Sequence, residues 1–437
     1  MTATPVSLCA NNAYVIESNS NSEVALLGGT PAFTEDLCVG RPNVPDRSAF
    51  MARMNAMFDS GRLTNLGPMV QEFEKQVARI AGTRHCVATC NATVGLELAI
   101  SALGMKGDVI VPSFTFIATV HALWRQGITP IFCDIDPVTH CLDIASVEAA
   151  MTSRTTGILG VHLWGNMSAT NELHDLAQRK GVKLLFDAAH AFACGTKQRA
   201  VGSFGDAEVF SFHATKFVHA FEGGAIVTDD GDLADRLRLM TNFGFADEDE
   251  VLHLGTNGKM SEPSAAMGLT SLEAMDSIIA HNKRNYAAYD VALKAVPGVR
   301  LQYRSMEDPH NYHYVVTEID ESVTGLSRDE LVAALRLENV IARRYFYPGC
   351  HRMEPYSSLF PQARHTLPVT EEISRRVIIL PTGQTVNEAD IGRLVGRIAA
   401  IVRRAREVRQ ALAECEDRRI PSFTRRVEHP VNADAEA

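Results

Sequence analysis

The chain has 437 residues, 46% of them hydrophobic, and a formal charge of −10 from 42 Lys+Arg against 52 Asp+Glu. That length is enough for two domains of ordinary size or one large domain with an appendage, with a sizeable buried core. The acidic balance excludes a broad nucleic-acid or anionic-membrane surface, which needs a basic field, but allows a local anion pocket.

No window approaches the roughly 18 consecutive apolar residues of a spanning helix. The start, MTATPVSLCANNAYVIESNSNSE, has no basic end followed by an apolar region, so a soluble cytoplasmic protein is expected. Nine cysteines are scattered without a CxxC pair, and Cys86 and Cys90 have no clustered ligands nearby. Reduced structural thiols and no metal site are therefore expected.

In chain order, residues 1–22 are polar and rich in Asn and Ser and read as a tail. An α/β rhythm follows. DVIVPSF (108–114), PIFCDID (130–136), TGILGVHLWG (156–165), KLLFDAAHA (183–191), AEVFSFHA (207–214) and GGAIVTDD (223–230) are short apolar runs bounded by Gly, Pro or Asp. Helical patterns such as ATVHALWRQG and MSATNELHDLAQRKG separate most of them, which predicts a mostly parallel sheet covered by helices on both faces. After about residue 276 the pattern changes to a long helix (AMDSIIAHNKRNYAAYDVAL), a strand (311–320), a helix (SRDELVAALRLEN), the run VIILPTG and a last helix over 388–412. The expected organisation is a large domain over 23–278, a smaller α+β domain over 279–412, and a tail over 413–437.

Ligands of open parallel sheets collect beyond the carboxyl ends of the strands. Four features sit at such ends. Asp187 closes a run apolar enough to be buried on both sides; alone it would pass for a helix cap. Lys216 follows one strand later in SFHATK, where a buried ammonium is costly unless used. TCNATVGLELAI opens a helix whose free N–H groups and dipole suit a phosphate. Phe114 or Phe116 follows a strand and could stack on a ring. Together they match the needs of pyridoxal phosphate: an amine, a carboxylate for the ring nitrogen, a phosphate cradle and an aromatic.

GGTPAF (28–33), FEKQVARIAGTRHCVATCNATVGLELAI, VIVPSFTFIATVHAL, PIFCDIDPVT, VHLWGN, FDAAHAFA, VGSFGDAEVFSFHATK, EGGAIVTDD, TNFG and GTNGKMSEPSAAMGLTSLE occur in this order. With these motifs the chain resembles the PLP-dependent nucleotide-sugar aminotransferases of the DegT/DnrJ type, a fold type I family, over about residues 26 to 410. The resemblance implies that Lys216 links to the cofactor and then shuttles the proton, and that Asp187 pairs with the pyridine nitrogen. It places His190 near the ring's phenolic oxygen and Phe116 against the ring, with Phe114 close in sequence. Ser211, the backbone of Ala92 and Thr93, and Asn257 of a neighbouring subunit would hold the phosphate, so at least a homodimer with shared sites is implied. Ala92 replaces the family's usual glycine, and Gly258 and Lys259 stand where an aromatic and an arginine are frequent.

The implied reaction moves the amine of L-glutamate, through pyridoxamine phosphate, to a keto group on a nucleotide-linked deoxysugar. His213, Lys259, Tyr345, Tyr347 and His351 are the candidate substrate contacts. His213 with Met260 and Ser261 resembles the branch acting at carbon 4, so a TDP-linked 4-keto-6-deoxyhexose is the expected acceptor and a 4-amino-4,6-dideoxy sugar the product. A 3-keto-sugar aminotransferase and a non-catalytic sensor of the same fold are the alternatives. Lys216 argues against the family's sugar dehydratases, which carry histidine there. The lack of a GxGxxG fingerprint argues against a nicotinamide enzyme.

Overall fold

The computed structural model describes residues 24–302, 304 and 307–417. The tail expected over 1–22 lies outside the described residues, as does 418–437 of the second tail; residues 413–417 belong to the helix Ala405–Asp417.

Seven strands form the central sheet, in the order His85–Thr89, Gly224–Thr228, Ala207–Ser211, Lys183–Asp187, Thr155–Val161, Asp108–Pro112 and Thr129–Cys133. Neighbours are parallel except Gly224–Thr228, which is antiparallel to the strand on either side. Six of these are the expected strands. The seventh, HCVAT, is short and lies between two stronger helical patterns, which hide it.

Side chains alternate between two cores, as the pleat requires. Leu184 and Phe186 pack with Phe73, Leu173 and Leu176 on one face, while Leu185 packs with Leu96, Leu123 and Leu237 on the other. Helices Pro68–Ala81 and Thr170–Lys180 cover the first face; Ala92–Ala102, Ile117–Trp124 and Gly231–Met240 cover the second. Burial from both sides explains the unbroken apolar runs in these strands.

The smaller unit is an antiparallel sheet of Val299–Leu301, Val315–Ile319 and Val377–Leu380, packed against helices Met275–Leu293, Arg328–Leu337 and Glu388–Arg403. Two sequence expectations differ in extent. The strand begins at Val315, leaving 311–314 as a loop, and the helix expected over 388–412 breaks at Arg404. Val24 and Phe33 pack into the core of this smaller unit, and Leu37–Cys38 pairs in parallel with Val340–Ile341. The beginning of the described chain is therefore a strap across to the smaller unit. Among the described residues no helix is long and apolar enough to cross a membrane.

Candidate active site

Asp187 is the last residue of its strand and Ser211 the last of the next, so adjacent parallel strands deliver both to one edge of the sheet. Beyond Ser211 the chain turns tightly: the N–H of Lys216 donates to the His213 carbonyl at 2.8 Å, and that of Ala220 to the Phe212 carbonyl at 2.8 Å. Phe212 and Phe217 anchor the turn in the core and leave Lys216, half-buried, at its tip.

The Lys216 ammonium donates to the Tyr314 hydroxyl at 3.2 Å. Burial pulls its pKa down to about 8, against the pull of Asp187, which favours the charged form. The Asp187 carboxyl is itself raised, first by burial; hydrogen bonds from the Thr119 hydroxyl (2.8 Å) and the Ala189 N–H (3.1 Å), and the charges of Lys216 and His162, oppose that rise. This is a carboxylate held in place by Thr119 and Ala189 and acted on by the charge of a nearby amine.

The two candidate stacking residues separate cleanly. Phe114 is 0% exposed and meets Trp164, His140 and Phe346 edge-on in the core, whereas Phe116 is 57% exposed at the start of helix Ile117–Trp124. Only Phe116 has a free ring face for a flat ligand. His190 stacks with Trp164 (5.5 Å) and Phe346 (5.8 Å), and its Nδ1 accepts from the Trp164 N–H at 3.4 Å, leaving Nε2 to carry the proton. Burial, then the charges of Lys216 and His313, holds His190 well below the usual imidazole range, so it is neutral.

Asn91 caps helix Ala92–Ala102, its Oδ1 accepting from the Val94 N–H at 2.9 Å. The N–H groups of Ala92 and Thr93 have no carbonyl one turn back to bond, which makes this end an anion seat. A Cβ on Gly224 would lie 2.6 Å from the Ala92 nitrogen and the Asn91 carbonyl carbon, so only glycine lets the strand approach this helix start.

The remaining candidates scatter. Tyr345 lines the same cavity as Thr215, His313 and Tyr314. His213 is exposed on the Lys216 turn and bonds the Thr215 hydroxyl at 2.8 Å. Lys259 donates to Asn242 at 2.6 Å and lies 5.1 Å from the Phe243 ring centre. The N–H of Cys90 donates to the Gly258 carbonyl at 2.7 Å, so Asn257, exposed, belongs to a segment packed beside the helix start. Met260 is core, and Ser261 caps helix Glu262–Glu273. The structure does not bring Tyr347 or His351 to the cavity beside Lys216. Tyr347 lies outside, under the guanidiniums of Arg328 (4.8 Å) and Arg344 (5.3 Å). His351 is 2% exposed between the Ser113 hydroxyl (2.6 Å) and Glu371 (2.8 Å), and Ser113 is fully buried, so this line of groups is a structural tie.

Sequence reasoning missed Tyr314, Thr119, Trp164 and His313. Tyr314 and His313 come from the loop before a strand of the smaller unit, where no local pattern marks a site; Thr119, one turn into the helix that Phe116 opens, had a signal in its spacing. Burial pushes the Tyr314 phenol up, and burial with the Lys216 charge pulls His313 down to about 3.

The profile of the DegT/DnrJ/EryC1/StrS aminotransferase family matches residues 45–399. A dTDP-4-amino-4,6-dideoxy-D-glucose transaminase of Shigella dysenteriae is 36% identical over 343 residues, 78% of this chain and 93% of its own length. An Escherichia coli protein of the same description is 33% identical over 353 residues, 80% of this chain and 94% of its own length. The crystal structure of DesI in the presence of its TDP-sugar product matches with a TM-score of 0.85 at 48% identity, covering 90% of this chain and 99% of that one. The chain belongs to the DegT/DnrJ/EryC1/StrS aminotransferase family, and it is a transaminase.

Proposed function

We propose that the protein transfers the amino group of L-glutamate to carbon 4 of a TDP-linked 4-keto-6-deoxyhexose, giving 2-oxoglutarate and a TDP-4-amino-4,6-dideoxyhexose. The observation that carries the chemistry is that adjacent parallel strands bring Asp187 and the Lys216 turn to one sheet edge, where each group's charge acts on the other. The carbon-4 acceptor is supported by the two dTDP-4-amino-4,6-dideoxy-D-glucose transaminases and by DesI with its TDP-sugar product. The exposed His213 on the lysine's turn is in a position to limit how deep a sugar enters.

The residues fit pyridoxal phosphate: an amine, a buried carboxylate, one free aromatic face, and a helix start that a Cβ at position 224 would fill. When bound, that group supplies the carbonyl that exchanges amine for ketone and a ring that draws electrons from the bond being broken. Asp187, fixed by Thr119 and the Ala189 N–H, would hold the ring nitrogen's proton. Phe116 and the neutral His190 would bind the ring, and Ala92, Thr93 and Ser211 the phosphate. Lys216 Nζ, whose pKa burial lowers to about 8 in the cofactor-free chain, would take a proton from the donor carbon and return one to the acceptor carbon without a large uphill step near neutral pH. Asn257 of a second copy would complete the phosphate seat, in a cytoplasmic homodimer. Its exposure on the single chain supports that role. Burial pushes the thiols of Cys133, Cys194 and Cys350 up to about 12, which keeps them protonated and unreactive at neutral pH.

The test is to incubate the yellow, cofactor-loaded protein with glutamate and TDP-4-keto-6-deoxyglucose, follow 2-oxoglutarate, and take the proton NMR spectrum of the product. An amine on carbon 3 would overturn the regiochemistry alone. A colourless protein that releases no 2-oxoglutarate with any keto-sugar nucleotide would overturn the whole reading.

A further inference from the structure

We infer that Arg41 and Arg343 form the carboxylate-binding site of the amino donor and so select a dicarboxylic amino acid; this rests on the transaminase reading above. The two residues reach the site from opposite ends of the sequence through one small device. Cys38 pairs with Ile341 in the two-residue parallel bridge between the strap and the smaller unit. Arg41 and Arg343 follow just beyond it, on the two strands of chain that leave the bridge, and both line the cavity of about 130 Å3 that also holds Thr215, His313, Tyr314 and Tyr345. Thr215 precedes Lys216, and Tyr314 takes the Lys216 hydrogen bond at 3.2 Å, so the cavity is lined by the immediate neighbours of the reacting amine.

Both backbones are fixed. Asn43 Nδ2 donates to the Phe217 carbonyl at 3.0 Å, and the Asn43 carbonyl accepts from His219 Nε2 at 2.8 Å, which pins the Arg41 segment onto the lysine's turn. The N–H of Arg343 donates to the Ile379 carbonyl at 3.1 Å, and its carbonyl accepts from the Ile379 N–H at 2.8 Å. Their guanidiniums are not used up in this way. No acidic side chain lines the cavity, and among the described residues neither Arg41 nor Arg343 makes an ion pair. The adjacent Arg344 shows the contrast, since it pairs with Asp329 at 2.8 Å. Both arginines are exposed residues held through backbone, and in a chain of net charge −10 two unpaired arginines lining one small cavity make a local anion site. A guanidinium matches a carboxylate through two parallel hydrogen bonds, and glutamate brings two carboxylates to two such forks. The cavity is of a size for an amino acid rather than for a nucleotide diphosphate sugar.

The experiment uses cofactor-loaded wild type, Arg41→Gln, Arg343→Gln and Arg343→Lys, with unchanged far-UV circular dichroism and thermal midpoint as the folding control. Each is titrated calorimetrically with 2-oxoglutarate and, separately, with TDP. Each glutamine variant should weaken 2-oxoglutarate binding by about tenfold, the loss of one charge-assisted contact, and leave TDP binding within about twofold. Arg343→Lys should recover part of the loss. In the donor half-reaction the half-saturating glutamate concentration should rise while the saturating rate holds, and the preference for glutamate over alanine should shrink. Unchanged 2-oxoglutarate affinity in both glutamine variants overturns the inference. A loss confined to TDP also overturns it, and gives the arginines to the diphosphate of the acceptor instead. These failures leave wild-type turnover with glutamate intact, whereas a wild type inert toward glutamate defeats the transaminase reading itself.

Discussion

The two walls that meet at Lys216 are built differently. The cofactor wall consists of strand ends in a single sheet and the helix start packed on them: Asp187 and Gly224 are paired on both sides, Ser211 pairs with Gly224, and Ala92 opens the helix that Gly224 lets approach. The opposite wall, with Tyr314, His313, Tyr345, Arg41 and Arg343, is gathered from loops of the smaller unit and from the strap. The difference suggests a division of work. The first wall is preorganised for chemistry common to every turnover, and the second, whose backbone is also pinned, selects what is bound.

Substitutions test that division directly. Lys216→Ala should have the largest effect, a loss of turnover on the order of 10,000-fold in 2-oxoglutarate release, because both the covalent partner and the proton carrier disappear. Full activity would remove Lys216 from its role. Asp187→Asn should slow the single-turnover rate with glutamate by roughly 100-fold, since a neutral amide no longer favours a proton on the ring nitrogen. An unchanged rate would show that the carboxylate is only structural.

Gly224→Ala probes the cofactor wall without touching a charge. Its Cβ would meet backbone atoms at 2.6 to 2.7 Å, so the start of helix Ala92–Ala102 must move. We expect stability to fall by about 1–3 kcal/mol and the affinity for pyridoxal phosphate to fall with it, read by urea unfolding and by fluorescence titration. Normal cofactor affinity would mean that this helix start is not the phosphate seat. On the opposite wall Tyr314→Phe should cost kcat/KM about tenfold, the low end of one hydrogen bond to a charged group. A loss as large as that of Asp187→Asn would break the contrast between the walls.

The contrast also explains what could be read in the sequence. Six strands, both faces of helices, and the cluster of Asp187, Ser211, Lys216 and the Ala92 helix start were legible because each is a local pattern repeated along the chain. The residues alone left Phe114 and Phe116 open, because two aromatics two residues apart differ only in which one the fold buries; it was the family resemblance that pointed to Phe116, the exposed one. Tyr314, Arg41 and Arg343 were silent because three segments distant in sequence form their cavity, and nothing local announces that meeting. His351 misled for the opposite reason: a histidine after Tyr-Pro-Gly-Cys looks available, yet its ring is spent bridging Ser113 and Glu371.

Lys216 belongs to both walls, and its burial should be visible in stability before any cofactor binds. In the folded chain its pKa is about 8, against 10.5 for an unburied lysine, and burial is the largest cause. Below pH 8 the folded and unfolded chains both carry the proton, and the folded chain bears the whole cost of a buried ammonium. Between pH 8 and 10.5 the unfolded chain still holds the proton while the folded chain has released it, so this group's contribution to stability rises with pH. Lys216→Met fills similar space with no charge and removes the cost. The cofactor-free variant should therefore be more stable than cofactor-free wild type at pH 7, by on the order of 1–3 kcal/mol, with the gap narrowing as pH approaches 10. Urea unfolding of the pair at pH 7 and pH 10 measures it; ionisations not coupled to Lys216 cancel in the difference, whereas those of Asp187, His190 and His313, which feel its charge, shift upward when it is removed. A gap of the same size at both pH values would show that the lysine keeps its ordinary proton affinity in the fold, and that its reactivity must come from the bound cofactor alone.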